Sequence, residues 1–100
     1  MIILAGTMTI DPANTDVALA AISKLEAATR AEPGNIQYGF WLSHDEPGNL
    51  MVVEEWADED AMNAHMVSAH MAEFLTAAGG FGISATDISR YDISEKTKFM

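Results

Sequence analysis

The chain has 100 residues, a formal net charge of −10 and no cysteine. Its length fits a single domain spanning residues 1–100, with a core thin enough that oligomerisation would add useful burial. Because nucleic acids and anionic membranes are bound through Lys and Arg, the acidic charge argues against both as partners. The lack of cysteine excludes disulfides, thiolate nucleophiles and cysteine-ligated metal clusters. The first residues resemble neither a signal peptide nor a membrane-spanning helix, so a cytoplasmic location is expected.

The first third of the chain predicts a strand followed by a helix. Residues 2–10 are rich in Ile, Leu, Met and Thr, as strands are. Gly6 within them allows another backbone or a ligand to approach closely. Residues 16–31 place apolar side chains at helical spacing, and Pro33-Gly34 ends that helix.

The middle of the chain predicts two strands joined by a short loop. Residues 36–44 alternate between two faces, and the turn-forming residues 45–49 lead into a further strand at residues 50–56. Consecutive strand residues point to opposite faces, so Glu54 and Glu55 cannot form an acid–base pair within one site.

The last part of the chain predicts a helix and a fourth strand. Residues 61–78 follow a helical pattern, with a break near Val67-Ser68 as an open alternative, and Gly79-Gly80 stops the helix. Residues 83–93 form the last strand, and residues 94–100 are expected to be a loose tail.

The predicted order β-α-β-β-α-β is that of an α+β, ferredoxin-like fold, with one antiparallel sheet and both helices on one of its faces. The strands carry apolar side chains on both faces, so the face without helices also needs cover. A second copy of the chain is the simplest cover, and we expect a homodimer that packs sheet against sheet. Glu55, if buried at that interface, would need a cationic or hydrogen-bonding partner, and Arg90 on the last strand is the natural candidate.

Residues spread along nearly the whole chain match the pattern of a known family. They are Glu32-x-Gly34-Asn35-x-x-Tyr38, Glu46-Pro47-Gly48, Glu55-Trp56, Ala61, His65, Ser68-x-His70 and Phe74. With this topology, the chain resembles the antibiotic-biosynthesis-monooxygenase-like domain of the dimeric α+β barrel superfamily. The resemblance implies a dimer whose two sheets join into a barrel, with an apolar pocket between the sheet and the helices of each protomer.

Two enzymatic branches of that family indicate the expected chemistry. One oxidises quinol-like or polycyclic phenolic substrates with O₂ and without flavin or metal, and the other degrades haem, which is its substrate. Trp56 matches the strand-end tryptophan of both branches. Where the aromatic polyketide branch has an Asn and a Tyr, this chain has Val52 and Met62. Where the haem-degrading branch has a helix His, it has Met66 beside His65, and its first strand has no Asn.

Two histidines of the second helix are the candidates for a catalytic base. His65 or His70 would remove a phenolic proton near neutral pH, or would instead hold the helix against the sheet or the partner. On a continuous helix the two lie about 140° apart, unlike a two-His metal motif. We therefore expect no metal unless the helix breaks at Ser68, and the resemblance implies no cofactor. Trp56 completes the candidate catalytic set, with ordinary core packing as the alternative.

Four further residues are the candidates for holding an aromatic ring, namely Tyr38, Met62, Met66 and Phe74. Met62, Met66, His70 and Phe74 follow i, i+4 spacing and would form one ridge, a pattern that core packing also produces. The function that the resemblance implies is a cofactor-independent monooxygenase of quinol-like or polycyclic aromatic molecules. The alternatives are a non-catalytic small-molecule-binding or stress-response dimer with the same pocket and, less favoured, haem binding or degradation.

Overall fold

The chain folds into one antiparallel sheet and three helices, and the computed structural model describes all of residues 1–100. The strands are β1 (Ile2–Thr9), β2 (Asn35–Leu42), β3 (Asn49–Trp56) and β4 (Ala85–Asp92). The helices are α1 (Thr15–Arg30), α2 (Glu59–Met66) and α3 (Ala69–Ala78), and a 3-10 turn at Pro12–Asn14 leads into α1. None of the helices is both long and apolar enough to cross a membrane. The predicted ferredoxin-like α+β fold is confirmed, with its second helix divided in two.

The strands lie side by side in the order β2-β3-β1-β4. The central strand β1 pairs with both β3 and β4, and Ile2 at its start lies opposite Trp56 at the end of β3. Ile2, Leu50 and Trp56 are all buried and lie on the same face of these strands. Residues of one parity along each strand therefore face the helices.

The hydrophobic core lies between this face of the sheet and the helices. Helix α1 contributes Ala18, Ile22 and Leu25, which are spaced as one side of a helix requires. Trp56 from β3 and Phe81 from the turn after α3 are the largest fully buried side chains. The three helices are thus held over one face of the sheet, and no helix covers the other face, which we call the bare face.

At Gly6, strand β4 leaves no room for a side chain on β1. A Cβ atom at this position would lie 1.9 Å from the carbonyl oxygen of Asp87 and 2.6 Å from the Cα atom of Ile88. Neither atom belongs to a flexible side chain, so a larger residue would force the two strands apart. The predicted close approach of another backbone is confirmed, and the neighbour is strand β4.

The bare face of the sheet carries three large apolar side chains, Trp41, Met51 and Tyr91, from three different strands. Between 47% and 52% of the surface of each residue is exposed. The Trp41 ring folds over Gly39, where an added Cβ atom would lie 2.6 Å from the ring. The prediction that the strands are apolar on both faces is therefore confirmed.

The predicted ion pair between Glu55 and Arg90 is wrong, because the two side chains lie on opposite faces. Arg90 stands opposite Leu4 in the register of the sheet, whereas Glu55 stands opposite Ile3, one residue away and on the other face. Arg90 pairs instead with Glu59 and Asp92.

The partner of Glu55 comes from the C-terminal residues. Lys96 Nζ donates a hydrogen bond to Glu55 Oε2 over 3.1 Å, and Glu55 is only 5% exposed. Residues 94–100 contain neither helix nor strand. This segment nevertheless reaches back to the sheet and gives a buried carboxylate the cation that it needs.

Candidate active site

A break between α2 and α3 shapes the candidate site. Helix α2 ends at Met66 and α3 begins at Ala69, which confirms the alternative break near Val67-Ser68. The Ser68 hydroxyl accepts a hydrogen bond from the backbone N–H of Met71 and donates one to the carbonyl oxygen of His65 over 2.7 Å. One side chain therefore caps α3 and fixes the end of α2. The break is encoded locally, because serine is a preferred N-cap residue.

The turn between α1 and β2 brings Glu32 beside α2. Gly34 in this turn has a φ of +81°, and a Cβ atom there would lie 2.6 Å from the Cβ atom of Ala61. The Gly34 carbonyl oxygen accepts a hydrogen bond from the backbone N–H of Ala57. His65 follows Ala61 by four residues, so it lies one turn further along the same side of α2. A turn packed this tightly against α2 places Glu32 next to His65.

Glu32 joins both candidate histidines. Its Oε1 atom lies 2.8 Å from His65 Nδ1 and also forms a hydrogen bond with His70 Nε2. The three atoms all lie within 4.8 Å of one another. The His65 side chain is fully buried, whereas 13% of the Glu32 and 26% of the His70 side chain is exposed. We call these three residues the Glu32 cluster.

A cleft between α1 and α3 opens beside the cluster. It has a volume of about 160 Å³. Its walls are formed by Ala21, Lys24, Leu25, Ala28, His70, Glu73, Phe74 and Ala77. Lys24 and Glu73 form an exposed ion pair that links the two helices. His70 is the one residue that belongs both to the cleft and to the Glu32 cluster, so an apolar ligand in the cleft would meet an imidazole held by a carboxylate.

The hydrogen bonds of the cluster limit where the imidazole protons can lie. If Glu32 is ionised it can only accept hydrogen bonds, so each imidazole donates to it, and a neutral imidazole then has its lone pair on the other ring nitrogen. For His70 this nitrogen is Nδ1, on the ring that lines the cleft. For His65 it is Nε2, which is buried and has no hydrogen-bond partner. Of the two imidazoles, only that of His70 is partly exposed.

Aromatic side chains surround the buried histidine. The ring centroid of His65 lies 4.9 Å from that of Trp56 and 5.4 Å from that of Tyr38. Trp56 Nε1 donates a hydrogen bond to Glu54 Oε1 over 3.1 Å. Burial raises the pKa of Glu54, and the bond from Trp56 opposes that shift. Burial also raises the pKa of Tyr38, helped by the charge of Glu54, so its phenol stays protonated and cannot act as a base.

The structure brings most of the predicted site residues together. His65, His70, Trp56 and Tyr38 are neighbours, and Phe74 lines the cleft. The roles assigned to them from the sequence remain proposals.

The predicted ridge of Met62, Met66, His70 and Phe74 is wrong. Met62 is buried in the core, but Met66 is 49% exposed. The i, i+4 spacing holds only along a continuous helix, and this one ends at Met66. Neither Met62 nor Met66 is in the wall of the cleft.

Glu32 is the functional candidate that the sequence analysis missed. It is 33 residues from His65 and 38 from His70, so no local pattern connects it to either of them. Its one signal is its place at the start of the Glu32-x-Gly34-Asn35-x-x-Tyr38 motif, which carries the family resemblance but to which the sequence analysis assigns no chemistry. The angle of about 140° between His65 and His70 no longer argues against a metal site, because it was calculated for an unbroken helix.

Comparisons with known proteins agree on one family. Residues 1–77 match the family described as antibiotic biosynthesis monooxygenase. YcnE from Bacillus subtilis strain 168, whose name describes it as a candidate monooxygenase, is 30% identical over 95 residues. That alignment covers 95% of this chain and 100% of YcnE.

Solved structures show the same fold. One from Deinococcus radiodurans, described as a candidate antibiotic biosynthesis monooxygenase, has a TM-score of 0.90 at 22% identity and covers 100% of this chain and 99% of that chain. Another with the same description, from Caulobacter crescentus, has a TM-score of 0.88 at 26% identity and covers 94% and 90% of the two chains.

Proposed function

Because the chain belongs to the antibiotic biosynthesis monooxygenase family, we propose that it is a cofactor-independent monooxygenase of quinol-like aromatic molecules. One observation carries the assignment of the base. His70 lines an apolar cleft and is at the same time hydrogen-bonded to the carboxylate of Glu32. A histidine oriented by a carboxylate is a suitable general base, because the carboxylate fixes the ring and stabilises the imidazolium that forms.

In the proposed first step, His70 Nδ1 takes the proton of a phenolic hydroxyl group in the cleft. The positive charge that develops on the imidazole is stabilised by Glu32, which His65 holds in place from the buried side. Phe74 and Leu25 are in the cleft wall and would contact the faces or edges of the ring. The substrate becomes an electron-rich anion.

The anion then reacts with O₂ without an added reductant. It passes one electron to O₂, and the resulting radical and superoxide combine to form a C–O bond in a peroxide. Loss of water leaves a hydroxyquinone, so one oxygen atom enters the product and the other leaves as water. The hydroquinone supplies all four electrons that O₂ takes up. Deprotonation is thus the step for which the protein must provide a group.

The cleft limits the size of the substrate. Its volume of about 160 Å³ is smaller than the range of about 300–1,000 Å³ that is usual for drug-sized ligands. A one- or two-ring quinol suits this space better than a haem does. The apolar part of the cleft wall suits an aromatic ring, and the carboxylate-bound imidazole of His70 would take the proton of a phenol.

The oxygenase proposal is tested by oxygen uptake. Purified, metal-stripped protein is expected to consume O₂ with a reduced naphthoquinone well above the rate of autoxidation without protein. Product analysis should find one added oxygen atom per quinone. Tight binding of the quinol without extra uptake would instead favour the non-catalytic binding protein.

We further propose that the bare face of the sheet packs against the same face of a second copy. The half-exposed Trp41, Met51 and Tyr91 form an apolar surface that a monomer would leave in water.

Sedimentation should therefore give the mass of two chains of 10.8 kDa each. Met51→Glu is expected to shift the protein to a monomer, since it would bury an unpaired charge. Val17→Glu is the control, because Val17 is exposed on α1, away from this face. A wild-type monomer would refute the proposal.

A further inference from the structure

We propose that the Glu32 cluster binds one divalent transition-metal ion, of the class of Zn²⁺ and Co²⁺. The three ligand atoms are Glu32 Oε1, His65 Nδ1 and His70 Nε2, and they converge from three separate segments of the chain. Two imidazoles and one carboxylate are the protein ligands of several catalytic zinc sites, in which a fourth position stays open. This proposal concerns binding alone and does not depend on the oxygenase reaction.

The geometry of the cluster is close to that of a metal site. With ligands about 2.1 Å from a tetrahedral ion, the ligand atoms lie about 3.4 Å from one another. Here all three lie within 4.8 Å, with Glu32 Oε1 2.8 Å from His65 Nδ1. Small movements of Glu32 and His70 would give the required spacing. Both are partly exposed, whereas the fully buried His65 provides a fixed ligand.

A metal ion would also bind the lone pairs of the three ligand atoms better than shared protons do. In the hydrogen-bonded form, two imidazoles donate to a single oxygen atom of Glu32. A metal ion between the three groups would give each ligand atom its own bond and leave the other Glu32 oxygen free.

The charges around the cluster favour a cation. A further carboxylate, that of Glu54, is held close by Trp56, whose Nε1 donates a hydrogen bond to Glu54 Oε1 and whose ring centroid lies 4.9 Å from that of His65. The two histidines are the only charged-pair partners of Glu32, and Arg30 is paired with Glu26 instead. The chain as a whole carries a net charge of −10, which raises the local concentration of cations.

His70 links the proposed ion to the cleft. Because its ring forms part of the cleft wall, an ion on its Nε2 atom would lie near any molecule bound there. The ion would also take the Glu32 oxygen that orients His70. If the proposed oxygenase is correct, added Zn²⁺ should therefore inhibit it.

Metal binding is tested on tag-free protein that has been dialysed against EDTA. Titration with Co²⁺ is expected to produce the visible absorption bands of a tetrahedral site, and calorimetry with Zn²⁺ should give one ion per chain. Glu32→Gln and His70→Gln are each expected to weaken Zn²⁺ binding by at least about 100-fold, since loss of a direct ligand should cost no less than loss of a supporting contact. Circular dichroism checks that each variant is folded. If only one of them folds, that variant alone is enough to test the metal site.

His44→Gln is the matched control, because His44 is 94% exposed and lies outside the cluster. It should bind Zn²⁺ as the wild type does. The proposal is overturned if the wild type binds no ion, or if Glu32→Gln and His70→Gln bind as tightly as His44→Gln. Oxygen uptake by metal-stripped protein is measured separately, so failure of the metal site and failure of the oxygenase give different results.

Discussion

Replacement of His70 by glutamine is expected to lower quinol-dependent oxygen uptake about 10²–10⁴-fold, which is the usual contribution of a general base. Glutamine can still donate a hydrogen bond to Glu32, but it cannot take a proton from a phenol. The loss should therefore appear in kcat, with a smaller change in KM. Steady-state oxygen-electrode kinetics over a range of quinol concentrations separate the two constants.

The controls for this prediction come from the other two histidines. His44→Gln changes an exposed residue that is not part of the cleft wall, and this variant should leave oxygen uptake unchanged. His65→Gln removes the buried support of Glu32. If that variant lost activity while His70→Gln kept it, the base would be His65, and the assignment made from the cleft would be wrong.

Replacement of Trp56 by alanine is expected to lower the free energy of unfolding by about 3–5 kcal/mol, as is usual for the loss of a large buried aromatic side chain. The Trp56 side chain is fully buried against His65, and its Nε1–H is the hydrogen-bond donor of Glu54. Urea denaturation followed by circular dichroism measures the change.

A second variant separates packing from hydrogen bonding at this position. Trp56→Phe keeps much of the apolar ring but leaves Glu54 without its hydrogen-bond donor. Its free energy of unfolding should therefore lie between those of the wild type and Trp56→Ala. If Trp56→Ala lowered the free energy of unfolding by less than about 1 kcal/mol, Trp56 would not be part of the core, because full burial of such a side chain contributes more than that.

The elements of the fold could be predicted because each depends on neighbours in sequence. The strands could be recognised from their residue types and turns, and the close approach at Gly6 was predicted from a glycine inside a strand. The break at Ser68 could be predicted as an alternative, since serine begins helices through its own side chain. Whether the break occurred decided how the two histidines were placed.

The errors arose where one residue meets another that is distant in sequence. The pair Glu55–Arg90 failed because the register between β1 and β4 sets the face of Arg90, and a shift of one residue reverses it. Lys96 could not be predicted as the partner of Glu55, since a segment without regular structure has no periodicity to show where it lies.

The sequence by itself determined the strands, the helices, the apolar second face of the sheet and the likeness to a family. Local spacing and the chemistry of turns are enough for these, because they act over a few residues. Only the tertiary structure decided that Glu32 meets His65 and His70, and that His70 also faces a cleft. Those contacts depend on how a turn packs against a helix far along the chain, and that packing results from the fold as a whole.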